Sequence, residues 1–156
     1  MMQIAVSVGR LAEVRFASPF GADDLSKFMA DIRAVVERAE QPLVFFTDWR
    51  EVDAFSPSEY DTIVWIMRRD NPRIETNAVL LDPANVAFVE QARKLLVEAA
   101  NRKRAAFTDP AEVRAFLGKM LAPAERRQLD TLLAEPRKAR VAPKRAAPAS
   151  SRDGTR

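Results

Sequence analysis

The chain has 156 residues and a mass of 17.5 kDa, and 25 Lys and Arg against 22 Asp and Glu give it a net charge of +3. It contains neither His nor Cys, which excludes Ser-His-Asp and Cys-His catalytic relays, zinc fingers and disulfide-built scaffolds. A hydrophobic fraction of 47% and a charged fraction of 30% are typical of one soluble globular domain.

The charge is divided unevenly along the chain. Residues 1–135 contain 18 basic and 21 acidic residues, whereas residues 136–156 contain 7 basic residues and 1 acidic residue. This last segment consists mostly of Ala, Pro, Lys, Arg and Ser, and Val141 is its only large aliphatic residue. Because so little apolar surface cannot offset the entropy of ordering, the composition predicts a disordered basic tail over 136–156.

The N-terminal residues lack the basic start, apolar run and small-residue cleavage site of a secretory signal. No apolar stretch approaches the roughly 20 residues needed to span a bilayer. We therefore expect a cytoplasmic protein that does not contact a membrane.

The first predicted elements are a β-hairpin and a helix. Apolar residues alternate along the two arms of the hairpin, which turns at Gly9-Arg10: Ile4, Val6, Val8, Leu11, Val14 and Phe16. Asp23 or Asp24 is the expected cap of the helix that follows, and the helix ends near Glu40. Its apolar residues recur every three or four positions, at Leu25, Phe28, Met29, Ile32, Val35 and Val36.

Three strand–helix units come next, and a short fifth helix follows them from Pro123. Apolar runs at 43–46, 78–81 and 105–107 are typical of buried strands. Each run is followed by a helix-start signal, namely the capping box Ser56-Pro57-Ser58-Glu59, then Asn85, then Asp109. Strands that alternate with helices in this way predict parallel neighbours.

The predicted fold class is therefore α/β, with a single open, mostly parallel sheet, an N-terminal β-hairpin, four helices and a short C-terminal helix. We divide the chain into a domain over 1–121, a helix over 122–135 that packs on the domain or on a partner, and the basic tail over 136–156. Partners of such sheets usually meet the loops at the carboxyl ends of the strands, here 47–55, 82–84 and 108–109.

The loop after the central strand carries a family resemblance. An acidic residue, Asp48, closes that strand, and the next helix begins with a Ser-rich turn. Together with the element order, this pattern resembles the STAS family, which includes anti-sigma-factor antagonists and the cytoplasmic ends of sulfate transporters. Asp48 matches the family's strand-end aspartate and Ser58 its phosphorylated serine. Ser56, Pro57 and Glu59 depart from the family motif, which has an acidic residue, a serine and a glycine there.

The resemblance implies a non-enzymatic regulatory protein–protein interaction module, a partner-switching component that acts through loop 47–55 and helix 56–69. Its partner would be another protein, such as a kinase or an anti-sigma-like regulator of a bacterium. Ser58 is then the candidate phosphorylation site. The candidate partner contacts are Asp48, Trp49, Asp53, Glu59 and Tyr60. This interpretation includes no catalytic residue, cofactor or metal.

The same residues also permit simpler interpretations. The simpler interpretation of Ser58 is an ordinary first-turn residue of a helix. The tryptophans near it, Trp49 and Trp65, either mark a contact surface or pack locally. Asp48 also resembles the phosphoacceptor of a receiver domain, but the further carboxylates and the lysine of that site are missing. A hard cation bound by Asp48, Glu51 and Asp53 is a third interpretation.

Two other functions stay open at this point. One is a carrier domain that holds a nucleotide or lipid between helix and sheet. The other is a scaffold that the tail tethers weakly to nucleic acid through cations at Arg137, Lys138, Arg140, Lys144 and Arg145. A homo-oligomer is a further expectation, because the fifth helix carries an apolar stripe at Leu129, Leu132 and Leu133.

Overall fold

The computed structural model describes residues 1–137, which form five strands, five α-helices and a short 3-10 helix at Asn71–Arg73. The strands are β1 (Met2–Val8), β2 (Leu11–Ala17), β3 (Leu43–Glu51), β4 (Ile74–Leu80) and β5 (Arg104–Phe107). The helices are α1 (Ala22–Arg38), α2 (Pro57–Asp70), α3 (Val86–Glu98), α4 (Pro110–Gly118) and α5 (Pro123–Ala134). In this part of the chain no helix has both the length and the apolar character that a bilayer crossing demands.

The sheet confirms the predicted α/β class. Its strand order is β1-β2-β3-β4-β5, with β1 and β2 antiparallel and every later pair parallel. Because the order in the sheet follows the order in the chain, each crossover moves in the same direction. Right-handed crossovers then place α1, α2 and α3 on one face of the sheet, while α4 and α5 pack on the other.

The two faces bury cores of different size. The α1–α3 face holds the larger core, which includes a cluster of aromatic rings. In this cluster Trp49 packs edge-on to Phe55 with ring centroids 5.1 Å apart and stacks on Phe16 at 5.7 Å. The α4–α5 face holds a smaller core, in which most residues are aliphatic: Leu11, Val44, Phe46, Leu80, Val113, Leu117, Leu129 and Leu132.

The central strand is longer than its apolar run predicts. β3 continues to Glu51, because Thr47 and Asp48 keep the parallel register with β4 at Val79 and Leu80. The hydroxyl of Thr47 is buried there but donates to Oδ1 of Asn77 at 2.9 Å, so a polar residue is accommodated inside the sheet. The loop after β3 therefore begins at Val52, not at residue 47.

The helix starts follow their local signals. Ser56 Oγ accepts from the N–H of Glu59 at 3.3 Å, and Glu59 Oε2 accepts from the N–H of Ser56 at 2.8 Å, which completes the predicted capping box. Asn85 caps α3, and Asp109 caps α4. The first helix differs from its prediction, because its cap position is Gly21 and Asp24 reaches back to the Gly21 N–H at 2.9 Å.

The fifth helix is anchored to the opening hairpin. Glu125 is buried, and its Oε2 accepts from the backbone N–H of Arg10 at 2.8 Å. The intervening turn residue, Gly9, has φ +53°, and a Cβ there would lie 2.6 Å from Glu125 Oε2. The two buried leucines Leu129 and Leu132 complete the contact with the sheet. Helix α5 thus packs on the domain itself.

Candidate functional site

The loops that follow the parallel strands meet at one edge of the sheet, where the helices begin. They comprise residues 17–25, 51–61, 81–86 and 107–112. These segments contain no Lys or Arg but nine carboxylates: Asp23, Asp24, Glu51, Asp53, Glu59, Asp61, Asp82, Asp109 and Glu112. Helix N-termini favour such groups, because their free N–H groups and the macrodipole attract negative charge. We call this edge the acidic end.

The opposite edge, where the helices end, has the opposite sign. Its segments are residues 9–10, 38–42, 67–73, 98–103 and 118–122, which contain eight basic and three acidic residues. Several of these cations donate to carbonyls at helix C-termini. Arg10 Nη2 lies 2.6 Å from Met120 O, and Arg68 Nε lies 2.7 Å from Glu98 O. We call this edge the basic end, where the guanidinium groups of Arg10, Arg68 and Arg73 donate to carbonyls at helix ends.

Ser58, the candidate phosphorylation site, lies on the surface of the acidic end. It is the second residue of α2 and is exposed. Its Oγ is 3.4 Å from Ser56 Oγ, and its carbonyl accepts from the Thr62 hydroxyl at 2.8 Å. The side chain of the neighbouring Glu59 is held by the capping box and is partly exposed. A kinase or a partner could therefore reach the Ser58 hydroxyl without unfolding the helix.

Two further predicted contacts lie close to this surface. Asp53 is exposed, its N–H donates to Ser18 Oγ at 3.0 Å, and its carbonyl accepts from Asn85 Nδ2 at 2.9 Å. Tyr60 is half-buried and packs against the larger core, with Lys94 Nζ 5.9 Å from its ring centroid. The structure thus brings Asp53, Glu59 and Tyr60 together around the start of α2.

The remaining two predicted contacts, Asp48 and Trp49, lie inside the fold. Each is 1% exposed, which corrects the expectation that both belong to an exposed loop. The physical reason is the extension of β3, since consecutive strand residues point to opposite faces of the sheet. Trp49 enters the aromatic cluster on the α1–α3 face, and Asp48 lies on the α4–α5 face.

Asp48 is instead the centre of a buried ion-pair network. Arg50 contacts it with Nε at 3.0 Å and Nη2 at 2.9 Å, and Arg137 Nε contacts it at 2.6 Å. Burial alone would raise the pKa of Asp48, but the hydrogen bonds and charges of Arg50 and Arg137 outweigh it and lower the pKa. Arg137 was predicted to be a tail contact for partners, yet its side chain is 9% exposed and docked on the domain.

Other charged groups surround this pair. Glu51 Oε1 accepts from Arg15 Nη2 at 2.7 Å, and Glu135 Oε2 accepts from Arg137 Nη1 at 3.1 Å. The pKa of Glu13 is raised, first by burial and then by the nearby carboxylate of Glu135. We call the whole set the buried charge cluster, after the buried Asp48 at its centre. It comprises Glu13, Arg15, Asp48, Arg50, Glu51, Glu135 and Arg137.

The cluster holds no arrangement of donors suited to a metal. Within residues 1–137, no three or more His, Cys, Asp or Glu side chains are placed to bind one ion. The carboxylate of Asp48, which was the centre of the possible cation site with Glu51 and Asp53, is bound by Arg50 and Arg137. The remaining tail residues singled out from the sequence lie outside the described residues: Lys138, Arg140, Lys144 and Arg145.

An internal cavity lies between the sheet and helices α1 and α2. Its volume is about 30 Å³, and it is lined by Phe28, Ile32, Thr47, Trp49, Asn77 and others. A cavity of this size holds one water molecule, so the nucleotide or lipid of a carrier domain would not fit in it.

Trp65, the second tryptophan, is 53% exposed on α2 with the guanidinium of Arg69 5.1 Å from its ring centroid.

The buried charge cluster was not predicted from the sequence. Asp48 and Arg137 are 89 positions apart, and no local pattern connects them. The only signal was Asp48 itself, close after an apolar strand run.

Comparison of the chain with family models, with curated proteins and with solved structures found no match.

Proposed function

We propose that this protein is a non-enzymatic regulatory interaction module, of the STAS-like kind that the sequence resembles, which binds a basic protein surface through its acidic end. The observation that carries the proposal is the segregation of charge. Six carboxylates of the acidic end are exposed: Asp23, Asp24, Asp53, Asp61, Asp109 and Glu112. Complementary charge raises association rates and disfavours partners of the wrong sign.

The loop between β3 and α2 has a well-supported backbone, which favours binding. Asn85 Nδ2 donates to the carbonyls of Val52 and Asp53 at 3.2 and 2.9 Å. The side chain of Gln91 binds both backbone polar groups of Phe55. Its Oε1 accepts from the Phe55 N–H, and its Nε2 donates to the Phe55 carbonyl, each at 2.9 Å. A surface held in this way loses little conformational entropy when a partner docks.

Ser58 gives the proposed surface a means of regulation. A phosphate there would add roughly two negative charges near the N-terminus of α2, where the macrodipole tolerates them. The domain would stay folded, and the acidic end would become more negative beside Glu59 and Asp61. Phosphorylation is therefore expected to strengthen binding to a basic partner and to weaken binding to an acidic one.

The proposed role is non-enzymatic because the residues at this surface supply little acid–base chemistry. The chain contains no His or Cys. Asp48, which is buried on β3, is held ionised by Arg50 and Arg137, since they lower its pKa. A general base requires a pKa near the working pH, and this ion-paired carboxylate is shifted the other way.

The test is affinity capture from nuclease-treated lysate of the native source, with four full-length baits: the unmodified chain, Ser58→Asp, Asp61→Lys and Glu37→Lys. We expect a captured protein that Ser58→Asp retains more strongly and that Asp61→Lys loses at least tenfold, a loss that corresponds to about 1.4 kcal/mol. Glu37→Lys is the matched control, because Glu37 is exposed on α1 away from the acidic end.

A fifth bait, residues 1–137, separates this proposal from a function of the tail. If capture is insensitive to Asp61→Lys but is lost without residues 138–156, the acidic end is not the binding surface. Equal losses with Asp61→Lys and Glu37→Lys would also contradict the proposal, since they would show a response to net charge alone.

A further inference from the structure

Within residues 1–137, one edge of the sheet is open, because β1 pairs there only with β2. The seven residues of β1, Met2–Val8, include no charged residue and no proline. Val6 is 40% exposed. The opposite edge strand, β5, has four residues and begins with Arg104. Proteins usually protect an exposed edge strand from pairing with another chain by charge, proline or short length. β5 is protected by its short length, whereas β1 has none of these features.

The backbone groups of β1 that face outward follow from the ladder. Met1 and Ala17 exchange two hydrogen bonds, with Met1 N to Ala17 O at 2.7 Å and Ala17 N to Met1 O at 2.8 Å. Hydrogen-bonded and non-hydrogen-bonded pairs alternate along antiparallel strands, and the register is regular from Met2 to Val6. The N–H and C=O groups of Met2, Ile4 and Val6 therefore point away from β2, toward the open edge.

We infer that a second copy of this chain pairs with β1, in an antiparallel arrangement whose two-fold axis passes near Ile4. In this register Met2 faces Val6 of the other copy, and Ile4 faces Ile4. The outward N–H and C=O groups of these three residues then form hydrogen bonds with the same groups of the other copy. The side chains of these residues share one face of the strand, so the same register forms a continuous apolar row across the junction.

The charge distribution also favours a second copy over an unrelated strand. The domain is acidic at the carboxyl end of its parallel strands and basic at the amino end. An antiparallel two-fold contact places the basic end of each copy beside the acidic end of the other. The helix that packs on β1 shows this polarity directly, because α1 begins with Asp23 and Asp24 and ends with Arg38.

The inferred dimer goes beyond the proposed function and does not depend on it. The start of α2, with Ser58, follows β3, which lies two strands away from the β1 edge. Pairing at β1 therefore leaves that surface accessible in both copies. The dimer would present two acidic ends that point in opposite directions, and two linked sites can increase avidity for a repetitive partner.

The test is sedimentation of the full chain across about 1 to 100 µM, a range that detects micromolar association. We expect a concentration-dependent species with twice the monomer mass of 17.5 kDa. Val6→Lys introduces a charge on the edge and should weaken dimerisation at least tenfold. Val97→Lys is the matched control, because Val97 is 79% exposed on α3, remote from β1, and it should leave the dimer unchanged.

A proline variant tests the main-chain pairing specifically. Val6→Pro removes one outward N–H and none that bonds β2, and edge strands accept proline at such positions, so we expect a folded monomer by circular dichroism and sedimentation. A wild-type chain that stays monomeric, a dimer unaffected by Val6→Lys, or equal weakening by Val97→Lys would overturn the inference. A folded Val6→Pro chain that still dimerises would overturn it as well. If the proline variant does not fold, the effect of Val6→Lys on dimerisation is the test of the inferred pairing.

Discussion

Asp48 and Arg104 are two buried charges that the fold treats in different ways. Asp48 lies on β3 among arginines, and the pKa of its carboxyl is lowered because Arg50 and Arg137 outweigh the effect of burial. Arg104 begins β5, and its guanidinium donates to neutral acceptors, Met67 O at 3.2 Å and Asn71 Oδ1 at 3.0 Å. Burial lowers the pKa of Arg104 to about 10, and Asp70 offsets this only partly.

The difference shows that burial alone does not make a charge important to stability. A buried charge that meets opposite charges becomes costly to remove, since its partners are left unpaired. A buried charge that meets dipoles is only partly compensated, and a hydrophobic residue of similar size can replace it at little cost. Three substitutions separate these cases, at Asp48, at Arg104 and at Glu13, a carboxylate of the buried charge cluster whose pKa is raised.

The largest effect is expected for Asp48→Asn. The substitution keeps the shape of the side chain but leaves the guanidinium groups of Arg50 and Arg137, 16% and 9% exposed, without their common anion. Breaking a buried pair in this way costs about 3 to 5 kcal/mol. Urea unfolding monitored by circular dichroism measures the loss. The control is Asp61→Asn at the exposed start of α2, where the change should stay within about 0.5 kcal/mol; similar losses in both variants would argue against the ion-pair network.

A smaller effect is expected for Arg104→Met. Both acceptors keep another donor, since Met67 O also accepts from the N–H of Asn71 and Asn71 Oδ1 from Asn101 Nδ2. Because no acceptor is left unsatisfied and a poorly compensated charge is removed, the free energy of unfolding should change by less than about 1 kcal/mol. The same urea experiment measures it. A loss as large as that of Asp48→Asn would remove the contrast between the two charges.

The smallest effect, with the opposite sign, is expected for Glu13→Gln. The pKa of Glu13 is raised above its ordinary 4.5 in the folded state, by burial and by the charge of Glu135. Between 4.5 and the raised pKa the folded chain binds more protons than the unfolded chain, so stability falls as pH rises through this window. Glu13→Gln should therefore stabilise the protein at pH 7 by less than about 1 kcal/mol, because the group is only partly buried and solvent screens its charge.

The pH dependence of that gain identifies its cause. Below pH 4.5 the Glu13 carboxyl is protonated in both states, so it resembles a glutamine and the gain should fade. Unfolding midpoints of the two proteins at pH 7 and pH 4 measure this. A gain of equal size at both values would indicate an effect of shape rather than of charge.

The parts of the fold that the sequence predicted are those governed by local chemistry. The capping box from Ser56 to Glu59 and the caps at Asn85 and Asp109 were predicted, because each joins residues within three positions of one another. The alternation of strands and helices predicted the mostly parallel sheet, because two neighbouring strands joined by a helix run in the same direction. Asp24 was predicted as a candidate for the cap residue that precedes the first helix. It lies instead in the first turn of α1, where its carboxylate accepts from the N–H of the cap residue Gly21.

The candidate site was predicted only where it lies on a helix start. Ser58, Asp53 and Glu59 lie after the carboxyl end of β3, where the sequence placed the loop and the helix start. Asp48 and Trp49 were assigned to the loop because their polar neighbours interrupt the apolar run of β3. Pairing with β4 continues through them nevertheless. Such pairing is tertiary, and so is the contact of Asp48 with Arg137, a residue that composition alone assigned to the tail.

The order of the strands has a consequence for the way the chain is made. Each strand of the sheet neighbours the strand synthesised just before it, so every pairing partner has already left the ribosome when a new strand emerges. The sheet can therefore grow vectorially, with one crossover helix covering each addition. The exception is α5, whose Glu125 must meet Arg10 across 115 positions. Until that helix is released, Leu11, Val44 and Phe46 lack the part of their cover that Leu129 and Leu132 supply. This apolar face therefore stays exposed longer during synthesis than the face that α1, α2 and α3 cover.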